Sequence, residues 1–325
     1  MTIRRSFGGL VVLGHVVYLS HGGSKYYSQT RFSVLTLLDL LIKENRSDIK
    51  IVIFTDRISE SPVHPLVSSV YISPRDLVRF RGPLEYVHRI KLEVLRRAEN
   101  EIGTPFIYVD CDTRWLAIPE RQFEVLERET GSGGLRQMAY MHKLEGEISA
   151  TFFSAYWRIL NKQRDKLAEW GLSKEGPWYM WNSGTFGVPI SDNGLFDRAL
   201  EITDHLLPLP RNTRNCVEQL ALSLVACADY QVAPFDDCLT HYWAYGSELP
   251  VILDQFFDKL EPGLPVAEQA RLAAQFQINE QDLKRIQGAL QNRLLRFWKK
   301  LVISSHKRKI DLLAYLLRRG ASKPR

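Results

Sequence analysis

The chain has 325 residues, enough for one large domain or two modest domains with a sizeable core. Its 45% hydrophobic and 25% charged residues are typical of a soluble globular protein. The net charge of +6 is unevenly placed, because residues 283–325 contain 13 lysines and arginines against one acid, which leaves about −6 on residues 1–282. The basicity belongs to the C-terminal segment, so the composition argues against nucleic-acid binding by the whole protein, and we expect no nucleic-acid partner.

No apolar run reaches the roughly 18 residues that are needed to cross a bilayer. The N-terminal run Leu10–Leu19 is similar to a signal peptide, but His15 interrupts it and no small-residue cleavage site follows. We therefore interpret the end of this run as a first core strand. Four cysteines show neither a CxxC pair nor zinc-ligand spacing, which predicts a reduced, cytoplasmic setting.

The first half of the chain alternates between short β-rich runs and helical apolar spacing. The predicted elements are a strand at Val16–Ser20, a helix at Arg31–Lys43, strands at Ile49–Thr55 and Ser68–Ser73, a helix at Leu84–Asn100 and a strand at Phe106–Val109. This alternation predicts an α/β fold with a doubly wound, mostly parallel sheet. Ligands bind such sheets beyond the carboxyl ends of the strands, where Asp56 and Asp110 lie.

The second half is less regular. It contains predicted strands at Gln137–His142 and Tyr230–Phe235 and a predicted helix at Asn215–Ala228. The segments Thr151–Trp157 and Trp178–Pro189 are rich in aromatic residues and glycine, which favours loops and strands that wall a pocket. Beyond Pro250 the pattern is helical. We therefore predict an α/β domain over residues 1–249 and a helical, basic extension over residues 250–325.

The segment Phe106–Asp112 carries the most chemical information. It is an apolar strand that stops at two carboxylates, Asp110 and Asp112. Residues i and i+2 of a strand face the same way, so both carboxylates can aim at one point while Cys111 turns aside. Converging carboxylates repel each other unless a cation joins them. Hard oxygen ligands suit Mg²⁺ or Mn²⁺, and these ions usually arrive with substrate phosphates.

Four further features follow in a characteristic order. They are the cationic segment Tyr86–Lys91 before the acidic strand, the polar turn within Trp181–Gly187, the helix start Val217–Leu220 and the segment His241–Trp243. Together with Asp110 and Asp112, this set resembles the nucleotide-sugar glycosyltransferases of the A fold, over roughly residues 14–245. It is most similar to the group that contains bacterial lipooligosaccharide galactosyltransferases and glycogenin.

The resemblance implies a site for a metal and a sugar nucleotide. Asp110, Asp112 and His241 would hold Mn²⁺ or Mg²⁺, which would offset charge on the departing nucleoside diphosphate. Arg89 and Lys91 match the cations that contact the donor, and Arg89 is the better match because a guanidinium binds phosphate in a bidentate manner.

Further roles are implied for residues at other strand ends and turns. The nucleotide-binding edge would include Tyr18, Ser20 and Asp56, and the turn with Asn182 and Gly184 would face the sugar and the acceptor. Gly184 would allow a close backbone approach or a positive φ. Glu218 and Gln219 correspond to the acidic or amide pair at the sugar-binding helix, and Glu218 is a candidate catalytic group beside Gln219 and Asn182.

The chain departs from the family pattern at two places. Cys111 stands where the family usually has alanine between its acids, and the sequence after His241 lacks the Gly-x-Lys-Pro-Trp ending of the most similar group. The resemblance therefore places no lysine for the diphosphate in that segment. It also leaves open whether the anomeric configuration is retained or inverted.

The C-terminal segment has two interpretations. Apolar and basic residues interleave over Leu294–Arg319, which is typical of helices that lie on an anionic membrane surface. The alternative is a helical appendage packed on the domain. The predicted function is a metal-dependent transfer of a sugar, from a UDP-sugar as first choice, to a saccharide or lipid-linked envelope acceptor at the inner membrane face. The alternatives are a sugar-phosphate nucleotidyltransferase and a non-catalytic membrane-docking protein.

Overall fold

The first half of the chain folds as alternating strands and helices. The structure is a computed structural model, which describes residues 12–129, 137–151, 153–189, 194–209, 216–235 and 237–289. In chain order the elements are β1 (Gly14–Ser20), α1 (Ser24–Lys43), β2 (Ile49–Thr55), β3 (Val67–Tyr71), α2 (Pro74–Arg81), α3 (Arg89–Ile102), β4 (Phe106–Val109), β5 (Thr113–Trp115) and α4 (Glu120–Glu129).

The second half adds shorter strands and more helices. They are β6 (Gln137–Met141), β7 (Leu144–Glu147), α5 (Ser154–Lys162), α6 (Arg164–Glu169), β8 (Tyr179–Trp181), β9 (Thr185–Val188), α7 (Leu195–Leu206), α8 (Val217–Asp229), β10 (Tyr230–Pro234), β11 (Leu239–His241), α9 (Leu249–Phe257) and α10 (Val266–Gln275). Residues 280–289 are also helical.

Seven strands form one sheet in the order β10-β6-β9-β4-β1-β2-β3. Every neighbouring pair is parallel except the two pairs of β9, which runs antiparallel to β4 and β6. The predicted α/β class with a mostly parallel mixed sheet is therefore confirmed. The strand order reverses between β1 and β4, since the chain builds outward from β1 through β2 and β3 and then returns to the other side of β1. Such a switch point opens a crevice at the carboxyl ends of both strands.

Helices cover both faces of the sheet, and each face has its own apolar core. Successive residues of β1 show the alternation, because Val16 and Tyr18 belong to the core under α1, whereas Val17 belongs to the core under α3 and α8. The α1 core also receives side chains from α9 and α10. Phe32 of α1 makes edge-to-face contact with Phe256, with ring centroids 5.7 Å apart.

Residues 249–289 pack against α1 and β5. The Arg114 guanidinium donates hydrogen bonds to the carbonyl oxygens of Ala274 and Phe276, at 2.7 and 2.6 Å. Leu283 is buried in the same apolar core. The domain division near residue 250 stays a prediction, and the predicted membrane-contact segment Leu294–Arg319 lies outside the described residues. Among the helices that the structure describes, none is long and apolar enough to pass through a membrane.

One predicted segment is different in the structure. Residues of Thr151–Trp157, predicted as loops and strands, begin the helix α5. Its buried residues Tyr156 and Leu160 are four positions apart, so helical spacing was present in a segment whose aromatic content suggested otherwise. The predicted helix Leu84–Asn100 begins later, at Arg89, because Gly82 and Glu85 both adopt positive φ in the preceding turn.

Candidate active site

A cavity of about 450 Å³ opens at the switch point between β1 and β4. Its walls come from the loop after β1, the first turns of α1, the end of α2, the start of α3 and the segment after β4. They carry basic and acidic side chains, including Lys25, Arg81, Lys91, Asp110 and Asp112, together with the imidazole of His21. The volume lies in the range of pockets that hold small molecules and cofactors.

The backbone of the acidic segment is fixed from two sides. The Asp110 amide donates to the carbonyl oxygen of Gly184 at 2.7 Å, and the Thr113 hydroxyl donates to the carbonyl oxygen of Asp110 at 2.9 Å. The thiol of Cys111 points to Gln29 of α1, 3.4 Å from its Oε1. The two carboxylates therefore leave a rigid strand end, with the residue between them directed elsewhere.

A third possible ligand reaches Asp110 and Asp112 from the far end of the chain. The short strand β11 pairs antiparallel with β5 and sets His241 opposite Thr113. His241 Nε2 lies 3.1 Å from Asp112 Oδ1. One ligand atom from each of Asp110, Asp112 and His241 can be chosen so that all three atoms lie within 4.8 Å of one another.

The residues present fit a hard divalent cation. Two carboxylates and one imidazole form a donor set that Mn²⁺ or Mg²⁺ accepts together with phosphate oxygens. Burial alone would raise the pKa of Asp112, but the hydrogen bond and charge of His241 lower it, which favours the ionised form that a metal requires. The second imidazole nitrogen, Nδ1, is buried without a hydrogen-bond partner among the described residues.

Gly184 provides the space for this imidazole. A Cβ atom at Gly184 would lie 2.1 Å from His241 Cε1 and 2.6 Å from Nδ1. The φ of Gly184 is not among the positive values of the described glycines, so the close approach, rather than a left-handed backbone, explains the absence of a side chain here.

Lys91 lies directly beside the acidic pair. Its ammonium is 3.0 Å from Oδ1 and 3.1 Å from Oδ2 of Asp110, and 3.3 Å from the carbonyl oxygen of Ser183. The Tyr108 hydroxyl donates to Asp110 Oδ1 at 2.7 Å. Burial alone would lower the pKa of Lys91, but the charges of Asp110 and Glu218 raise it, so the ammonium stays charged.

Arg89 has other partners. Its guanidinium contacts Asp204 at 2.8 Å and Glu93 at 2.7 Å, and it also donates to the carbonyl oxygen of Phe80 at 2.9 Å. It is not among the residues that line the cavity. A contact between Arg89 and the donor stays a prediction, and the geometry favours Lys91 for that place.

Asn182 and Gly184 belong to a polar turn next to Asp110, which Gln219 of α8 contacts. Asn182 Oδ1 accepts from the Gly184 amide at 2.9 Å, and its Nδ2 donates to Glu145 at 3.2 Å. Gln219 Oε1 accepts from the Ser183 amide at 3.2 Å. Gln219 therefore holds the turn in place from the first turn of α8.

Glu218 is buried beside this turn. It accepts a short hydrogen bond from the Tyr86 hydroxyl, and His88 Nδ1, on a residue that lines the cavity, is 4.0 Å from Glu218 Oε1. Burial and the neighbouring Glu218 charge raise the pKa of Tyr86, so its hydroxyl remains a donor. Glu218 thus has a structural partner on one side and a cavity residue on the other.

The residues predicted at the nucleotide-binding edge have different surroundings. Asp56 accepts from the Tyr27 hydroxyl at 2.7 Å and, weakly, from the Gly22 amide at 3.4 Å, so it fixes the loop that borders the cavity. Ser20 is buried, and its hydroxyl is 3.5 Å from the carbonyl oxygen of Tyr26. Their contact with a nucleotide stays a prediction.

Tyr18 belongs to a buried chain of hydrogen bonds behind the acidic segment. Trp115 Nε1 donates to the Tyr18 hydroxyl at 2.6 Å, and that hydroxyl is 3.0 Å from Ser33 Oγ. Ser33 Oγ is 2.7 Å from the Thr113 hydroxyl, which bonds the carbonyl oxygen of Asp110. Tyr18 is fully buried, so its side chain supports the site from inside the core.

Sequence reasoning missed the two side chains that bond to Asp110, Tyr108 and Thr113. Tyr108 had a positional signal, because it precedes Asp110 by two residues and its side chain leaves the strand on the same face. Thr113 had no such signal.

No protein-family model and no curated protein matches the chain. Among solved structures, it is similar to the galactosyltransferase LgtC in complex with donor and acceptor sugar analogues, with a TM-score of 0.44 and 8% identity over 82% of this chain and 98% of that chain. It is similar to mouse xyloside xylosyltransferase 1 in its apo form, with a TM-score of 0.42 and 9% identity over 68% of this chain and 84% of that chain.

A third similar structure is the glycosyltransferase GlyE of Streptococcus pneumoniae, with a TM-score of 0.41 and 11% identity over 67% of this chain and 44% of that chain. All three are glycosyltransferases, the class that the sequence resembles. With identities of 8–11% and TM-scores of 0.41–0.44, these similarities carry no argument about activity. The function proposed below rests on the contacts of the site.

Proposed function

We propose that the protein is a metal-dependent glycosyltransferase that uses a nucleoside-diphosphate sugar, with UDP as the first choice of nucleotide. The observation that carries this proposal is the cluster of Asp110, Asp112 and His241, whose two carboxylates line a cavity at the sheet's switch point. Carboxylate and imidazole ligands beside a cavity of about 450 Å³ suit a hydrated divalent ion that arrives with phosphates.

The residues around the cluster support distinct roles. An ion held by the cluster would supply Lewis-acid stabilisation of the diphosphate leaving group. Lys91 adds a fixed positive charge at the same wall, where developing negative charge is stabilised best by preorganised groups. Glu218 is a buried carboxylate outside the cluster with the cavity residue His88 beside it, so we assign it to the transferring sugar or the acceptor hydroxyl. Asn182, in the turn that Gln219 holds from α8, would shape the surface that the acceptor meets.

Calorimetry of UDP binding with and without Mn²⁺ tests the proposal. We expect UDP to bind at least tenfold more tightly with Mn²⁺, and the difference to vanish when Asp110 and Asp112 are replaced by alanine, because the bridging ion is then lost. Asp165→Ala is the matched control, since its carboxylate is exposed and pairs only at 3.3 Å with Lys174.

Two results would contradict the proposal. UDP binding that ignores Mn²⁺ and is unaltered in the double variant would remove the metal site from the function. Release of pyrophosphate from a nucleoside triphosphate and a sugar phosphate would instead assign the protein to the nucleotidyltransferases.

Hydrolysis of UDP-sugars in the presence of Mn²⁺, measured as released UDP, is the expected catalytic readout.

The acceptor and the cellular place form a separate part of the proposal. We infer a saccharide or lipid-linked acceptor, and contact with an anionic membrane surface at the cytoplasmic face, from the basic and apolar pattern of the C-terminal segment. Co-sedimentation with vesicles of phosphatidylglycerol, but not of phosphatidylcholine, is expected. A protein that binds neither type of vesicle would favour the alternative, in which the C-terminal segment packs on the domain.

A further inference from the structure

The ammonium of Lys91 forms an ion pair with Asp110, one of the carboxylates that would bind a metal ion. Lys91 Nζ contacts both oxygens of Asp110, at 3.0 and 3.1 Å, while the Tyr108 hydroxyl takes a further position on Oδ1. Asp110 is thus already neutralised by an ion pair and hydrogen-bonded without any metal. Asp112, by contrast, has the His241 imidazole as its ion-pair partner, with His241 Nε2 3.1 Å from Asp112 Oδ1.

The ammonium is fixed by its surroundings. Lys91 is 8% exposed, and its aliphatic stem lies within the buried face of α3. Beyond Asp110, its ammonium has two weaker oxygen contacts on Ser183, the carbonyl at 3.3 Å and the hydroxyl at 3.5 Å. These oxygens lie on the buried turn next to Asp110, so they would still hold the ammonium if its contacts with Asp110 were lost.

We propose that Lys91 is an internal counter-ion that is displaced from Asp110 when the divalent cation binds. Its ion pair with Asp110 orients that carboxylate and offsets the repulsion between the two neighbouring acidic groups. With a cation held by the cluster, the ammonium would lose its contacts with Asp110, would keep those with Ser183 and would face the anionic donor as a cavity-lining residue. Lys91 is therefore a positioning residue that weakens the affinity for the free ion and strengthens the affinity for the nucleotide after the ion.

This inference rests on the proposed function, and it adds an order of binding to it. Because like charges at a few Å repel strongly in a partly buried site, the cation competes with the ammonium for Asp110. The donor's phosphates then compensate both positive charges. The cation and the nucleotide should consequently bind with positive coupling that depends on the charge of residue 91.

Calorimetric titration with Mn²⁺ alone, without nucleotide, tests the displacement. We expect Lys91→Met to bind Mn²⁺ at least about tenfold more tightly than the wild type, because the competing charge is gone. We expect the same variant to bind UDP in saturating Mn²⁺ at least about tenfold more weakly. A merely structural lysine would weaken both affinities when removed, so the tightening of the free ion is the diagnostic result.

Three further variants separate charge from packing. Lys91→Arg keeps the charge and should bind Mn²⁺ within about threefold of the wild type, since the Coulomb term is retained. Tyr108→Phe removes the other hydrogen bond to Asp110 without changing any charge, and it should not tighten Mn²⁺ binding. Lys174→Met removes an exposed lysine that pairs with Asp165, and it should leave both affinities unchanged.

If Lys91→Met does not fold, the wild-type protein can still be used to test the displacement. A crystal structure with Mn²⁺ should show the ammonium no longer bridging both oxygens of Asp110, and a bridging ammonium beside a bound ion overturns the proposal. Mn²⁺ binding in Lys91→Met that is equal to or weaker than in the wild type also overturns it. A wild type that binds UDP but no Mn²⁺ would mean that the ammonium permanently replaces the ion, which ends this inference and the metal dependence. A wild type that binds neither ligand ends the proposed function as well.

Discussion

Replacement of Gly184 by alanine should damage the metal site without touching any ligand. A methyl group at this position would lie 2.1 Å from Cε1 and 2.6 Å from Nδ1 of the His241 ring. The Gly184 backbone cannot easily retreat, because its carbonyl oxygen accepts the Asp110 amide at 2.7 Å and its own amide donates to Asn182 at 2.9 Å. The imidazole must therefore move.

The size of this movement sets the expected effect. Carbon atoms in contact prefer separations of roughly 3.5–4.0 Å, so the ring has to shift by about 1.5 Å. A shift of that size ends the 3.1 Å contact between His241 Nε2 and Asp112. We expect a loss of about 1–3 kcal/mol in the free energy of unfolding from overpacking. We also expect a loss of about 10–100-fold in Mn²⁺ affinity, as for other changes that reorient a metal ligand.

Two glycines provide matched controls. Gly246 lines the same cavity, but an added Cβ would meet nothing within 4 Å, so Gly246→Ala should change neither quantity. Gly14 lies at the opposite end of β1, where a Cβ would be 2.3 Å from ring carbons of Phe123. Gly14→Ala should therefore lower stability and leave the Mn²⁺ affinity of the folded protein intact.

The measurements are thermal denaturation and Mn²⁺ calorimetry on the four proteins. The reasoning fails if Gly184→Ala has the stability and the Mn²⁺ affinity of the wild type. If Gly184→Ala is destabilised like Gly14→Ala but binds Mn²⁺ normally, His241 is close to the site without being a ligand.

Three further variants test other parts of the structure. Arg89→Met should cost about 2 kcal/mol of stability, since charge-assisted hydrogen bonds to Asp204 are lost. It should leave the KM for a UDP-sugar unchanged. A raised KM at normal stability would instead support the predicted contact between Arg89 and the donor. Hydrogen bonds from Arg46 lower the pKa of Asp48 below its ordinary 3.8, so the ionised form contributes stability above that value. The difference of about 1 kcal/mol between wild type and Asp48→Asn should hold above about pH 5 and shrink as the pH falls through the lowered pKa, and a difference that grows in acid would contradict this sign. Thr113→Val should cost about 1–3 kcal/mol, because buried hydroxyl contacts are left unmade, and should weaken Mn²⁺ binding; unchanged denaturation would show that the hydroxyl chain carries no stability.

Two buried strands could be predicted from the sequence because the pattern that identifies them lies within the strand itself. Ile49–Thr55 and Phe106–Val109 have the predicted bounds in the structure, since a buried β-branched or aromatic run between polar residues leaves little choice. The carboxyl ends of such strands meet at one edge, so Asp110 and Asp112 could be placed at the site from the sequence alone.

The relative roles of Arg89 and Lys91 were harder to predict, although a signal was present. Two residues that are two positions apart on a helix point about 200° apart, so only one of them can face the sheet. Lys91 lies on the same face of α3 as the buried residues Leu95 and Ala98, which follow it by four and seven positions. Arg89 lies on the same face as Glu93, four positions later, and the two side chains form an ion pair at 2.7 Å. The charge of Lys91 concealed its place on the buried face.

The position of His241 could be implied only by a family resemblance. Its neighbourhood with Asp112 depends on the pairing of two three-residue strands, β5 and β11, that are far apart in the chain. Strands this short have no periodicity that selects a partner. Tyr18 illustrates the reverse case, because its place on β1 was predicted but its hydrogen bonds to Ser33 and Trp115 depend on packing.

The pairing of β5 with β11 also determines when the site can exist. Asp112 and His241 are separated by 129 positions in the sequence, so their meeting closes a very long loop of chain. During synthesis the acidic strand can fold onto β1 long before the imidazole has left the ribosome. Until then Asp110 has Lys91 as its partner, which lies only 19 residues earlier in the chain. An ion bound later would join the segment after β4 to β11, and it could do so only after β11 has paired with β5.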